Sequence, residues 1–303
     1  MDSCTENKID IDKIYKEDFA TFILSYKNPD NCKTLKTLNR FGFTGNYYLI
    51  VGTDDPKLEE YKVKHKDHVL IFDKSDYDES IDFMDQGGKR GIGVYARNAC
   101  YDLAKQAGLK YFFVLDDDYH AIKYRVADEN NPKILRSYFC YQLDEVIKAS
   151  LEFYVTHPEI QTLCWCQAGD VIGGTGNNKF KQRLIRKAMN SFFSAVDRPI
   201  KFFGRMNDDV NAYTYWGAKG QLFLTMMDVM IEPEETQAPN TGMNDIYQDS
   251  GTYRKTMYSI MHSPSFIRAT MMGQSRYRLH HLVDWKCACP CIVSSQFQKP
   301  RKE

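Results

Sequence analysis

The chain has 303 residues, with 40 basic and 40 acidic side chains, so its formal net charge is zero. That length accommodates one large α/β domain or two modest ones with an ample core, and the neutral balance excludes a histone-like coating of nucleic acid while leaving room for a local basic face. The amino terminus is polar, the longest apolar runs fall short of the roughly 20 residues a membrane helix needs, and the nine cysteines lack the spacing of a disulfide scaffold, so the expectation is a soluble cytoplasmic protein with reduced thiols.

The elements follow in chain order. FATFILSYK (19–27) is a short apolar run and predicts a buried strand; NCKTLKTLNRFG (31–42) has helical spacing and stops at Gly42. NYYLIVGTDD (46–55) predicts a second strand, PKLEEYKVKH a helix opened by Pro56, and DHVLIFDK (67–74) a third strand. After the Gly-rich loop QGGKRGIG (86–93), VYARNACYDLAKQAG predicts a helix ended by Gly108, and LKYFFVLDD a fourth strand. Residues 120–139 predict a hairpin turned at 129–132, then a helix from 141, a strand from 159, strands near 191–196 and 201–204, a helix after 207, and an apolar strand at 222–231. An acidic loop is expected at 232–251, a helix at 252–264, a strand at 265–272, and a polar, Cys-rich tail from Gln274. Alternating strands and helices with nearly continuous apolar strands indicate an α/β fold, a mostly parallel sheet covered on both faces. The whole chain reads as one domain, with 1–125 binding a nucleotide and 126–303 an acceptor.

The fourth strand ends on three acids, Asp116, Asp117 and Asp118. Three adjacent like charges repel unless a cation sits among them. Mg²⁺ and Mn²⁺ accept one or two carboxylates together with substrate phosphates, so the triplet points to a metal and a phosphate-bearing substrate; the competing reading is a solvated acidic turn. Lys89, Arg90 and Arg97 precede or enter the helix leading to this strand and suit an anion, although a basic loop is more often merely solvated.

ARNACYDLAKQAGLKYFFVLDDD (96–118), together with FILSYK and VGTDD, resembles nucleotide-sugar-dependent glycosyltransferases of the GT-A fold, in particular the family 2-like kind with an Asp-rich DxD metal motif. The resemblance covers about the first 120 residues. It implies that Asp116 and Asp118 hold Mn²⁺ or Mg²⁺ and the diphosphate of a UDP-sugar, and that Asp117 lies near the ribose or sugar. Arg97 would steady the donor; Ser25, Tyr26 and Asp54, or Asp55 in its place, would contact the nucleoside. The first strand ends Ser-Tyr-Lys where that family commonly has Pro-Thr-Tyr-Asn.

In the second half, GRMNDDVNAYTYWGAKG (204–220) resembles the family's later acidic motif. A sugar or hydroxymethyl hydroxyl is a poor nucleophile until a positioned base takes its proton, and Asp209, then Asp208, are the candidates; the alternative is that Asn207 or Asp208 caps the helix. The resemblance also makes His280 and His281 candidate late metal ligands. CACPC (287–291) lacks the spacing of a zinc ribbon.

The triplet, NDDVNAYTYWGAKG and the His- and Trp-containing tail are similar to the TET-associated glycosyltransferases found largely in phages. That likeness implies a DNA acceptor, a hydroxymethylated pyrimidine such as 5-hydroxymethylcytosine. KFKQRLIRK, with Lys179, Lys181 and Arg183, and YRKTMYS (253–259) interleave basic and aromatic residues suited to phosphates, and Tyr213, Tyr215 or Trp216 to base stacking. Rival readings are a protein, lipid or glycan acceptor, a nucleotidyltransferase, and a binding module without chemistry.

Overall fold

The protein's computed structural model describes residues 9–80, 93–131, 134–167, 190–234, 244–272 and 278–288, with backbone alone at 79–80, 244–252, 272, 278 and 285–286. Nine strands form one sheet. They are β1 (Phe19–Leu24), β2 (Tyr47–Gly52), β3 (Val69–Phe72), β4 (Tyr111–Asp116), β5 (Tyr119–Ala127), β6 (Leu135–Phe139), β7 (Ile160–Gln167), β8 (Phe192–Ala195) and β9 (Leu222–Pro233), ordered β3-β2-β1-β4-β8-β7-β9-β5-β6. The β3-β2-β1-β4 block is parallel, as is β7 with β9, whereas β8 and β5 run against their neighbours, so the remaining strands share one direction. The expected α/β architecture is present, with a mixed, mostly parallel sheet.

Apolar continuity explains the central strands. Every residue of β1 is buried, because helices cover both faces of the sheet, and period-two alternation is therefore absent. One face packs Phe22, Phe112, Val114 and Phe192 beneath α3 (Gly93–Gln106). The other packs Phe19, Phe113, Trp165 and Phe193 beneath α1 (Lys33–Arg40) and α4 (Leu143–Thr156). Phe113 stacks on Phe193 with ring centroids 4.1 Å apart. α2 (Leu58–His65) links β2 to β3, α5 (Asp208–Ala218) leads into β9, and α6 (Asn244–His262) precedes a two-stranded ribbon of β10 (Ile267–Met272) and β11 (Arg278–Val283), followed by the short α7 (Trp285–Ala288).

Three expectations need correction. The strand near 201–204 is irregular: Asn98 donates to the Phe202 carbonyl and accepts from its N–H, Trp216 Nε1 donates to the Lys201 carbonyl, and Asn211 Nδ2 to that of Phe203. Side chains satisfy this backbone, so it needs no strand partner. The acidic loop is shorter than expected, since β9 runs to Pro233 and α6 begins at Asn244, with 235–243 outside the described residues. The polar, Cys-rich tail, for which no element is expected, contains a strand, because RLHHLV forms β11.

Candidate active site

The carboxyl ends of β1, β2, β3 and β4 lie along one edge of the sheet, and the antiparallel runs of β5 and β8 begin at that edge. Open α/β sheets bind ligands there. The acidic turn after β4 is clamped by the start of α1: Thr34 Oγ1 donates to the Asp116 carbonyl (2.5 Å) and accepts from the Tyr119 N–H (3.0 Å), its N–H donates to the Asp117 carbonyl (3.2 Å), and Thr37 Oγ1 donates to the Tyr119 carbonyl (3.0 Å). Three adjacent acids are thereby held by their backbone.

Their side chains have different partners. Asp116 accepts from Arg97 Nη2 (3.2 Å) and Asn190 Nδ2 (2.6 Å), and Asn190 is itself held by the Gln167 amide. Asp117 accepts from Ser25 Oγ (3.0 Å), which shares a 2.7 Å hydrogen bond with the buried Tyr61 hydroxyl. Asp118 Oδ1 is buried and has no hydrogen-bond partner among the described residues. Burial first, then the neighbouring Asp116, pushes the carboxyl of Asp117 up to about 6 and that of Asp118 up to about 7.

The second acidic pair joins the first through Arg97. Its Nη1 donates to Asp208 Oδ2 while Nη2 reaches Asp116, and the guanidinium is buried. Burial raises the carboxyls of both Asp116 and Asp208 against the lowering pull of Arg97, and Asp209 adds a further raising charge to each. The Asp209 side chain makes no hydrogen bond among the described residues, so its carboxylate stays available beside the braced Asp208. The turn presenting the pair is strained: Asn207 is left-handed (φ 52°), and its side chain, instead of capping the helix, donates to the Lys255 carbonyl (3.0 Å) and Ser259 Oγ (2.8 Å) of α6 and lies 3.4 Å from His281 Nδ1. Helix α5 therefore starts where α6 and β11 pin it.

At the far side of the edge, Tyr26 lies between Lys27 (ammonium 4.7 Å from the ring centroid) and Lys74 (5.2 Å), and Lys74 also pairs with Asp54 at 2.9 Å. A side chain at Gly52 would meet Asp54 Oδ1 at 2.7 Å and displace that carboxylate from its place beside Lys74. Asp55 is buried and accepts from the N–H groups of Lys27 and Lys57, both at 2.8 Å; the first bond holds Lys27 at φ 57°.

The expected residues thus fall into groups. Ser25, Tyr26, Asp54, Asp116, Asp117, Asp118, Arg97, Asp208 and Asp209 share the edge, and His281 touches its rim through Asn207. Asp55 accepts from two backbone amides, whereas Asp54 pairs with Lys74. Arg97 braces acids rather than facing an open cleft. His280 stacks on His281 (4.3 Å). Tyr215 and Trp216 lie seven and eight residues along α5, about 10–12 Å from its acidic start, and β9 begins shortly beyond at the opposite sheet edge. They pack with each other and with Lys219, whose ammonium sits 4.0 Å from the Tyr215 ring centroid, away from the acids. Lys89, Arg90, Lys179, Lys181 and Arg183 lie outside the described residues, as does most of CACPC. Sequence reasoning missed Lys74, Tyr61, Asn190 and Gln167. A basic residue two positions past β3 was a usable signal for Lys74; nothing local marked the other three.

The family model of the TET-Associated Glycosyltransferases matches residues 19–242, which span every strand of the large sheet and both acidic pairs. The chain belongs to that family. It is a glycosyltransferase. No curated protein sequence matches it. Among solved structures it is similar to glucosyl-3-phosphoglycerate synthase from Mycobacterium tuberculosis in complex with Mn²⁺, UDP and phosphoglyceric acid (7% identity, 90% of each chain covered, TM-score 0.45). It is also similar to CMP:2-keto-3-deoxy-manno-octonic acid synthetase complexed with CTP (8% identity, 77% of this chain and 99% of that one, TM-score 0.38). Scores and identities this low carry no inference about donor, metal or acceptor. Among the described residues, no helix of this glycosyltransferase is long and apolar enough to cross a membrane.

Proposed function

We propose that this GT-A-like glycosyltransferase moves a sugar from a UDP-sugar to the hydroxymethyl group of a modified pyrimidine in DNA, as part of phage DNA hypermodification. The observation that carries the donor half is the unpartnered, buried Asp118 Oδ1 beside Asp116 and Asp117. A carboxylate oxygen left without a donor among like charges fits a cation. Among the described residues no three His, Cys, Asp or Glu side chains converge to cage a metal, yet Mg²⁺ and Mn²⁺ commonly take one or two carboxylates plus phosphates and water. Asp116 and Asp118 would hold the ion, which supplies charge neutralisation for a departing diphosphate.

The chain's own residues do the rest. Tyr26 offers a ring to the base, while the paired Asp54 and Lys74 offer an acceptor and a donor. Asp117, oriented by Ser25, faces the ribose or sugar. Asp208, fixed by Arg97, leaves Asp209 to accept the proton of the attacking hydroxyl as its oxygen bonds the anomeric carbon and UDP leaves.

The DNA acceptor rests on the family's description and on α6. Its segment 253–259 contacts the catalytic turn through Asn207, and Tyr253 and Arg254 are exposed beside it. A base inside a duplex must be flipped to reach such a site. The reaction is tested by incubating hydroxymethylated and unmodified DNA with UDP-sugars and weighing the digested nucleosides. A hexose or pentose increment on hydroxymethylated DNA alone is expected; sugar found on protein or glycan, with nucleoside masses unchanged, reverses the acceptor assignment. Calorimetry with UDP tests the donor site, where Asp116→Ala plus Asp118→Ala should abolish the metal-dependent part of binding.

A further inference from the structure

Among the described residues, strand β6 closes the large sheet at one side and pairs with β5 alone. The ladder settles which of its backbone groups are spent. The Cys140 N–H donates to the Ile122 carbonyl, and the Asp128 N–H donates to that of Ile134. With Tyr124 opposite Tyr138 and Val126 opposite Arg136, the alternation of an antiparallel pair makes 134, 136, 138 and 140 the residues bonded to β5. Leu135, Ser137 and Phe139 therefore turn both N–H and C=O outward. Long exposed edges with large apolar side chains are templates for pairing, and proteins usually blunt them with charge or proline. This one is not blunted: Val126, Ile134, Tyr138, Phe139 and Tyr141 are 42–61% exposed, and the strand's one charged residue, Arg136, is neutralised within the hairpin by Asp128.

We propose that β6 is the dimerisation edge, taking the β6 strand of a second copy of this chain in antiparallel register about Ser137. That register is self-complementary. Ser137 faces Ser137 of the other copy, and Leu135 faces Phe139 twice, so all three outward residues become hydrogen-bonded pairs. Between them Arg136 lies opposite Tyr138, in the close non-hydrogen-bonded positions where a guanidinium stacks on a ring. No like charges meet across the two-fold axis, as an isologous contact requires. A shift by two residues strands one outward donor and acceptor on each copy.

The area sets the strength. The exposed parts of Tyr138, Phe139 and Tyr141 amount to roughly 300 Å² per copy. Adding Val126, Ile134 and the strand edge still leaves the contact at the small end of specific interfaces, below about 1,200 Å² in total. Dissociation in the micromolar range is expected.

Sedimentation equilibrium from about 0.1 to 100 µM tests this. The full chain should pass from 35.3 kDa to twice that mass. S137P removes an outward N–H that serves no bond among the described residues and should hold the protein monomeric, as should Y138K, which sets a lysine against the arginine of the other copy. S137C should cross-link under mild oxidation, because hydrogen-bonded pairs place Cα atoms about 5.5 Å apart, within disulfide reach. Native circular dichroism of S137P separates lost pairing from lost folding. A mass of 35.3 kDa at every concentration, or a dimer that survives S137P and leaves S137C uncrosslinked, overturns the proposal. Weaker DNA retention by Y138K in a protein that is always monomeric would overturn it too, assigning the aromatic edge to nucleic acid.

Discussion

Replacing Arg97 by methionine isolates the interaction that joins the two acidic pairs. Methionine keeps much of the stem's volume and removes the charge. The Arg97 side chain is 8% exposed and bonds Asp208 (15% exposed) and Asp116 (26% exposed) through separate nitrogens. Its loss leaves two shielded carboxylates facing each other and Asp209 without compensation. Breaking a buried pair from one side costs about 3–5 kcal/mol. Protonation limits the damage: a carboxyl that takes a proton escapes the repulsion, and each pH unit below its raised pKa recovers up to about 1.4 kcal/mol. The deficit of R97M should therefore be near the full range at pH 8 and clearly smaller at pH 5. Urea denaturation at both values, read as midpoint times slope, measures it. Adding D208N to R97M removes one of the stranded charges and should return at least about 1–2 kcal/mol at pH 8, a coupling that independent sites would not show. If R97M lies within about 1 kcal/mol of the parent at pH 8, or D208N restores nothing, Arg97 is not the brace between these acids and the electrostatic account of the site is wrong.

D118N should stabilise the metal-free protein by about 1 kcal/mol, because it removes an unpartnered buried charge, while abolishing the thermal shift that Mn²⁺ plus UDP gives the parent; unchanged stability and an intact shift would remove Asp118 from the site. The metal-free parent should gain stability as pH falls from about 8 towards 5. The folded carboxyls of Asp117 and Asp118, near 6 and 7, lie above the unfolded value of about 3.9, so the native chain binds more protons through that window; a melting temperature that falls instead would contradict their burial. K74M should weaken UDP binding roughly tenfold in calorimetry by freeing Asp54 from its partner, and an unchanged affinity would place the base elsewhere. G204A should destabilise by more than about 2 kcal/mol in the same urea assay, since residue 204 has φ 88° and a methyl there meets Asn211 Nδ2 at 2.4 Å and the Tyr258 ring at 2.6 Å.

The first half of the fold was legible because its strands are buried on both faces and read as apolar runs ending in polar residues; β1, β2, β4 and α3 stand where the spacing placed them. The order of the later strands was not. Nothing local to FFSA tells that β8 inserts antiparallel between β4 and β7, a choice made by the partners Phe113 and Trp165 across the sheet. KFFG looked like a strand and failed to become one because the side chains of Asn98, far upstream, and of Asn211 and Trp216 in the helix that follows supply the hydrogen bonds a neighbour strand would have given. RLHHLV looked like a polar tail because a two-stranded ribbon exposed on one side carries arginine and histidine without penalty. In the site, the acids, Arg97 and Ser25 announced themselves and the remaining supports did not. Asn190, Gln167 and Tyr61 are uncharged and unremarkable in sequence, and acquire meaning through what they touch.

Those supports also explain why the three adjacent acids are not equivalent. Asp116 is braced by a guanidinium and an amide, Asp117 by a hydroxyl relay from Tyr61 through Ser25, and Asp118 by nothing among the described residues except the backbone turn that Thr34 holds. A chain selected for stability alone would have no reason to keep the third acid, since an asparagine there relieves repulsion at no cost in packing. Keeping it buries a carboxyl that either takes a proton, as its raised pKa allows, or meets a cation. The same asymmetry recurs at the second pair, where Asp208 is consumed by Arg97 and Asp209 is left open. In both places a tied carboxylate neighbours one that is not, and Arg97 ties Asp116 in the first and Asp208 in the second. Ligand charge arriving at the open member of the first pair is therefore felt through Asp116 and Arg97 at Asp208, which adjoins the open member of the second. On the proposed assignment, this is an electrostatic route from the donor-side acids to the pair at the start of α5.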